Sequence, residues 1–321
     1  MSSPTLAPPR SAVLRAAGLR HRSALLTLLT VMAAVALALL AHGWYLHAGL
    51  DRTGAASCDP AADACAAAYK RFLRRYGDGL PEIGAVLYVL GGAFGAFLGG
   101  PLLAREFEHG TVRFAWTQGA GRTRWTVGGL VVGGAVLAAA AVPFGLLLRW
   151  WSEPLALMDG RFGPAVFVQA PPVLAGRWLV AFGVAALAGA VLRRTVVAVG
   201  LGLAASVGLP FLSYAVRARY LPPLEEARHS MAPLALDDRW VLDSWFSDPA
   251  GQRISGDELN GLGVDYAHLQ ELVRSGGYTL HEVYQPASRF WPFQAVESGW
   301  TVLLAAALCA AAVWRVRHRA L

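Results

Sequence analysis

Six uninterrupted apolar runs, over residues 24–46, 83–103, 126–148, 173–192, 195–216 and 295–314, set the limits on what this chain can become. Each approaches the ~20 residues that a helix needs to cross the hydrocarbon core of a bilayer. A soluble domain would have to bury all six, and it would carry about a quarter charged residues. This chain has 15%. The expected fold class is an all-α integral membrane protein with six transmembrane helices. The run over 173–192 is the weakest, because Arg177 stands near its start. The first run follows four arginines and His21 and is longer than the apolar core of a signal peptide, so it is read as a retained helix.

Orientation follows from the basic residues. With both termini in the cytoplasm, the inner segments are 1–23, 104–125, the link Arg193–Arg194 and the tail with Arg315, Arg317 and Arg319. Of the 21 acidic residues, only Glu106 and Glu108 fall on that side. Cytoplasmic loops rich in arginine obey the positive-inside rule. The cluster Lys70, Arg71, Arg74 and Arg75 runs against it, since it would stand outside. Trp150, Trp151, Trp291 and Trp300 fall near the proposed outer boundaries, where an aromatic belt is expected. Topology thus accounts for the net charge of +7 without a nucleic-acid partner. The predicted location is the cell membrane.

Four regions result: a cytoplasmic tail over 1–22, helices 1–5 over 23–216, an extracellular insert over 217–292, and helix 6 with a short basic tail over 293–321. Within the tail, 11–22 is basic and moderately amphipathic and suits the inner membrane face. Turn-forming pairs Pro222–Pro223, Asp237–Asp238 and Gly276–Gly277 punctuate the insert, and 257–275 reads as a short helix. Cys58 and Cys65 share the first outer loop, where an oxidising exterior allows a disulfide and two free thiols remain the alternative. No histidine lies beside them, so no metal site is predicted. Cys309 reads as a packing residue.

Inside the spans, small residues carry the pattern. Gly91, Gly95 and Gly99 repeat every four residues in the second span, and Gly129 and Gly133 do so in the third. Such spacing lets helix backbones approach closely, which drives association in lipid. Ionisable groups are few. Glu82, Arg177 and Glu297 come nearest, all at span ends, which argues against an ion-coupled carrier. Catalytic motifs are missing too. Lys70, the only lysine, precedes Arg71, so no Walker A motif exists. The run after His281-Glu282 does not make a zinc-protease helix, and Ser206 lacks the glycine two residues upstream of a nucleophile elbow. No catalytic residue is assigned.

The longest inner loop, 104–125, reads AREFEHGTVRFAWTQGAGRTRW. Arg105, Glu106 and Glu108 form a charged helix end that Gly110 closes. A second helical stretch runs from Thr111 to Gln118, before a basic approach to the third span. AREFEHGT, then TQ and RTRW, set after a Gly-rich second span, resembles actinobacterial ABC-2 type transporter permeases. Gly119-Ala120-Gly121 stands where a Ser-containing spacer is more usual. The motif covers about twenty residues, whereas the similarity in topology covers the whole chain. The resemblance implies a permease subunit that exports a substrate and couples to a separate ATPase, which would bind ATP and Mg. It implies a coupling helix in which Arg105, Glu106, Glu108, Gly110, Thr111, Arg113, Thr117 and Gln118 take part. Arg122, Arg124 and Trp125 would anchor the loop at the lipid interface. The resemblance further implies pairing with a second permease, identical or similar. The apolar spans favour a hydrophobic or amphipathic cargo. The competing reading is a membrane receptor or regulator that senses through 217–292.

Overall fold

The computed structural model describes residues 22–58, 63–108, 122–229, 238–256, 258, 266–275 and 277–319. The amphipathic segment expected over 11–22 therefore lies outside the described residues, apart from Arg22. Six helices are long and apolar enough to span a membrane. They are α1 (Arg22–Thr53), α3 (Leu80–Glu108), α4 (Arg122–Asp159), α6 (Pro171–Leu192), α7 (Thr195–Arg217) and α9 (Phe290–Arg319). Between them lie α2 (Asp63–Tyr76), α5 (Pro164–Gln169) and α8 (Tyr266–Arg274).

All six runs expected from the sequence are helical, and most extend beyond the apolar stretch. The third extends furthest. At 38 residues α4 is ~57 Å long, so at least a third of it projects beyond a ~30 Å hydrocarbon core. Of the tryptophans expected at the belt, Trp150 is half-buried and Trp151 is enclosed by the protein. The Trp150 ring stacks on His47, with centroids 4.9 Å apart. Trp151 is fully buried and donates its indole N–H to His42 Nδ1. Trp291 remains exposed, as expected of a belt residue.

The span that looks weakest in sequence is the centre of the bundle. In α6, 78% of the apolar stretch is buried, against 17% in α1. It packs against α3, α4, α7 and α9. A helix apolar on every side is one that neighbours can enclose. Arg177 does not prevent this. It is itself buried, and Nη2 donates to the Ser206 carbonyl of α7 at 3.5 Å. Ser206 lies midway along α7, so this cation reaches deeper than a span-end position suggested. Around it, Phe94, Phe144 and Trp178 pack edge-on or tilted with centroids 5.4–6.2 Å apart.

Two features were not expected from the sequence, and the first departs from the all-α class. The insert contains a four-stranded antiparallel sheet in the order β1-β4-β2-β3. Its strands are β1 (Leu224–Arg228), β2 (Trp240–Ser247), β3 (Arg253–Ile254) and β4 (Thr279–Gln285). Helix α8 covers one face through Leu269 and Val273, which bury Phe246 and Leu280. Of the helix expected over 257–275, the described part is Tyr266–Arg274. The second is α2, a further helix between α1 and α3. It begins next to a disulfide that joins Cys58 and Cys65, with Cα atoms 5.2 Å apart.

The sheet is bound to the spans through an aromatic cluster. Phe162, Phe167, Phe290 and Phe293 are buried together, and Trp240 at the start of β2 stacks on Phe162 at 5.8 Å. Arg161, just before α5, pairs with Asp238, whose carboxylate also accepts the Arg161 backbone N–H. Arg217 belongs to α7, so the insert proper begins after it. The loop ends in a short 3₁₀ turn (Ala287–Arg289) that leads into α9.

Candidate functional site

The C-terminal end of α3 carries the first residues of the expected coupling helix. Arg105 is exposed, and α3 ends at Glu108. The Glu108 carboxylate is engaged by the neighbouring helix. Thr195 donates its backbone N–H to Oε1 at 2.9 Å and its hydroxyl to Oε2 at 2.6 Å. Thr195 is the first residue of α7, and its predecessor Arg194 offers no side-chain cap. Helix N-termini carry unsatisfied N–H groups and partial positive charge, so a carboxylate there is stabilising. Glu108 supplies from α3 the cap that the 193–194 link lacks.

A second contact reinforces the first. Arg193 closes α6 in a left-handed conformation, φ 56°, a geometry usually left to glycine. Its guanidinium lies 5.2 Å from the Phe107 ring centroid. The tight α6–α7 turn is thus docked, charge and ring, on the last turn of α3.

Gly110, Thr111, Arg113, Thr117 and Gln118 lie outside the described residues, as does the Glu106 side chain. On the far side of the loop, α4 begins at Arg122. Arg124 and Trp125 are half-buried, and Trp125 packs against the main core.

The five glycines separate into two groups. Those of α3 face α6 at backbone distance. A Cβ built on Gly91 would lie 2.1 Å from Trp178 Nε1. On Gly95 it would lie 2.2 Å from the Trp178 carbonyl oxygen, and on Gly99 2.3 Å from that of Phe182. Gly129 and Gly133 are less demanding, with nearest side-chain atoms at 3.4 Å and 3.0 Å. The α3–α6 seam is the rigid contact, and it ends at the Glu108–Thr195 bridge.

The C-terminal end of α7 holds a buried ion pair that the sequence reading did not connect. Arg217 at the end of α7 donates from Nε and Nη2 to the two carboxylate oxygens of Glu297 in α9, at 2.9 and 3.1 Å. Both side chains are fully buried. The guanidinium also lies 3.8 Å from the Phe167 ring centroid. Trp300 donates to the Tyr220 hydroxyl at 2.9 Å. Burial, followed by the Glu297 charge, pushes the Tyr220 phenol up to about 12, so it stays neutral. A bidentate Arg–carboxylate pair stacked on an aromatic ring is the strong form of such a contact. The two members are 80 residues apart, and only the returning insert brings them together.

Among the described residues these features define a class: a multi-pass membrane protein of six spans around a tightly packed central helix. The sequence model of the family described as ABC-2 membrane transporter related matches residues 29–217. The chain belongs to that family and is a transmembrane ABC transporter permease. No curated protein and no solved structure matches it.

Proposed function

We propose that this chain is the permease half of an exporter driven by a separate ATPase, and that the loop after α3 is the seat of that ATPase. The observation that carries the reading is the joint between α3 and α7. The segment 104–125 grows directly from α3, whose last residue caps α7 while Phe107 holds the α6–α7 turn. A push on the loop would reach three spans as one rigid body, which is what converting ATPase closure into altered access requires. ATP and Mg belong to the partner subunit in this reading.

Both termini are cytoplasmic in the proposal. Six spans place the two ends on one side, and the Cys58–Cys65 bond suits an oxidising exterior for the α1–α2 loop. The bundle interior is filled by α6 and its glycine and aromatic contacts. A cargo path therefore runs along the outside of the bundle, between this chain and a second permease, identical or similar. The apolar character of those outer faces suits a hydrophobic or amphipathic cargo.

Two tests follow. Reversing charge with Glu106→Arg, which leaves the Glu108–Thr195 joint in place, is expected to abolish co-purification of the ATPase while the permease still elutes as a folded species. Undiminished capture would remove this loop from the ATPase contact. The joint itself is tested by Thr195→Val, which deletes the hydroxyl donor but keeps shape and the backbone bond. Loss of this exposed bond costs only about 1 kcal/mol of stability. Cargo movement per ATP should nevertheless fall while ATP turnover persists. Equal reduction of both would assign Thr195 a purely structural part.

A further inference from the structure

Helix α2 offers a charged surface that the transport reading leaves unused. Lys70, Arg71, Arg74 and Arg75 are all exposed, while Ala68, Phe72 and Tyr76 on another side are buried. At 100° per residue the four cations fall within a sector of roughly 140°, whose centre lies about 130° around the helix from the middle of the buried side. Among the described residues, no carboxylate forms an ion pair with any of the four. Arg71 reaches only the Thr53 carbonyl, at 3.5 Å.

The buried side fixes where this surface stands. Tyr76 packs over Gly49 of α1, and its ring meets Tyr45 edge-on at 5.0 Å. Tyr69 donates to the Pro154 carbonyl of α4. Helix α2 thus leans on the projecting ends of two spans. Beside it, Trp44 and Tyr45 are 69% and 50% exposed, and such aromatic residues mark headgroup level. The guanidinium groups of Arg52 and Arg75 hold the pKa of the Tyr76 phenol below the ordinary tyrosine value, Arg52 contributing most. A fifth cation therefore joins the patch at the same height.

We propose that this face of α2 is a docking surface for anionic phospholipid headgroups in the leaflet that borders it. An interfacial helix with unpaired cations at aromatic-belt height presents the charge, position and orientation that lipid phosphates require. The proposal explains why four basic residues stand where the positive-inside rule disfavours them: their counter-ions are lipids. It rests on the membrane embedding of the chain and not on how transport is driven.

The test uses the full chain in detergent–lipid micelles with a photoactivatable phosphatidylglycerol and a matched phosphatidylcholine probe. Cross-linked peptides are then mapped. Phosphatidylglycerol should label the 63–76 peptide in preference to phosphatidylcholine, and rising salt should weaken the preference. Lys70→Gln with Arg74→Gln leaves the Arg52–Tyr76–Arg75 contacts in place. It should weaken phosphatidylglycerol labelling of α2 by roughly fivefold per charge removed, with labelling near Arg315 and Arg317 unchanged. An unchanged melting temperature shows that the variant is folded. Equal labelling by the two probes, or undiminished labelling in the variant, overturns the proposal. So does displacement of the lipid by millimolar glycerol phosphate, which would assign the surface to a soluble anion.

Discussion

Replacing Glu297 by glutamine is expected to destabilise the folded protein by about 3–5 kcal/mol, the cost of stranding a buried charge. Arg217 would keep its place above the Phe167 ring with no carboxylate to receive Nε and Nη2. Arg217→Met alone should be comparably damaging, because it strands Glu297. The paired replacement Arg217→Met with Glu297→Leu should recover most of the loss, since an apolar pair of similar volume often matches a buried ion pair. Thermal unfolding in detergent measures all three. Additive losses in the double variant would show that the two residues act separately, against the geometry described.

The second large effect is expected in the α3–α6 seam. Gly95→Leu or Gly99→Leu drives a side chain into the carbonyl oxygen of Trp178 or Phe182, and backbone cannot rotate away as a side chain can. Overpacking a filled core costs ~1–3 kcal/mol, and a backbone clash stands at the upper end of that range or above it. Folded yield by gel filtration should collapse for both. Gly84→Ala in the same helix has nothing within 4 Å of the new methyl group and should be tolerated. Loss of yield at Gly84 equal to that at Gly99 would show that any residue larger than glycine fails in α3, and the seam would lose its special standing.

Much of the bundle was legible because membrane helices announce themselves by length and apolarity. The same signal misjudged α6, where Arg177 counted against a span that is the most buried of the six. Hydropathy assigns a cost to charge, but it cannot see a carbonyl such as that of Ser206 waiting on the next helix. Helix α2 was readable in principle. Cys65, Ala68, Tyr69, Phe72 and Tyr76 recur at helical spacing, but the cations between them drew attention only as an exception to topology. The sheet was hidden by its own chemistry. Glu226, Arg228 and Glu282 project from one face and are joined there by Arg239, so apolar alternation is broken where it would have marked strands.

The candidate site was legible in part. The motif drew attention to Glu108 and to the loop, but not to a contact of Glu108 within the chain. Its observed partner is Thr195, 87 residues further along the chain. One signal could have suggested this. Helix α7 begins after two arginines that make no side-chain cap, so a cap from elsewhere was needed. The Arg217–Glu297 pair carried no such signal, because only the fold of the insert aligns the two.

The account stands or falls on whether this chain is driven by a separate ATPase. The direct measurement is the native mass of the wild-type protein, purified in mild detergent from cells that also express a candidate ABC ATPase subunit. A complex of two permease and two ATPase subunits, carrying bound nucleotide, is the result predicted. A permease that elutes without any nucleotide-binding subunit, at every detergent and nucleotide condition, would contradict the account and return the outer 217–292 region to the centre as a sensor.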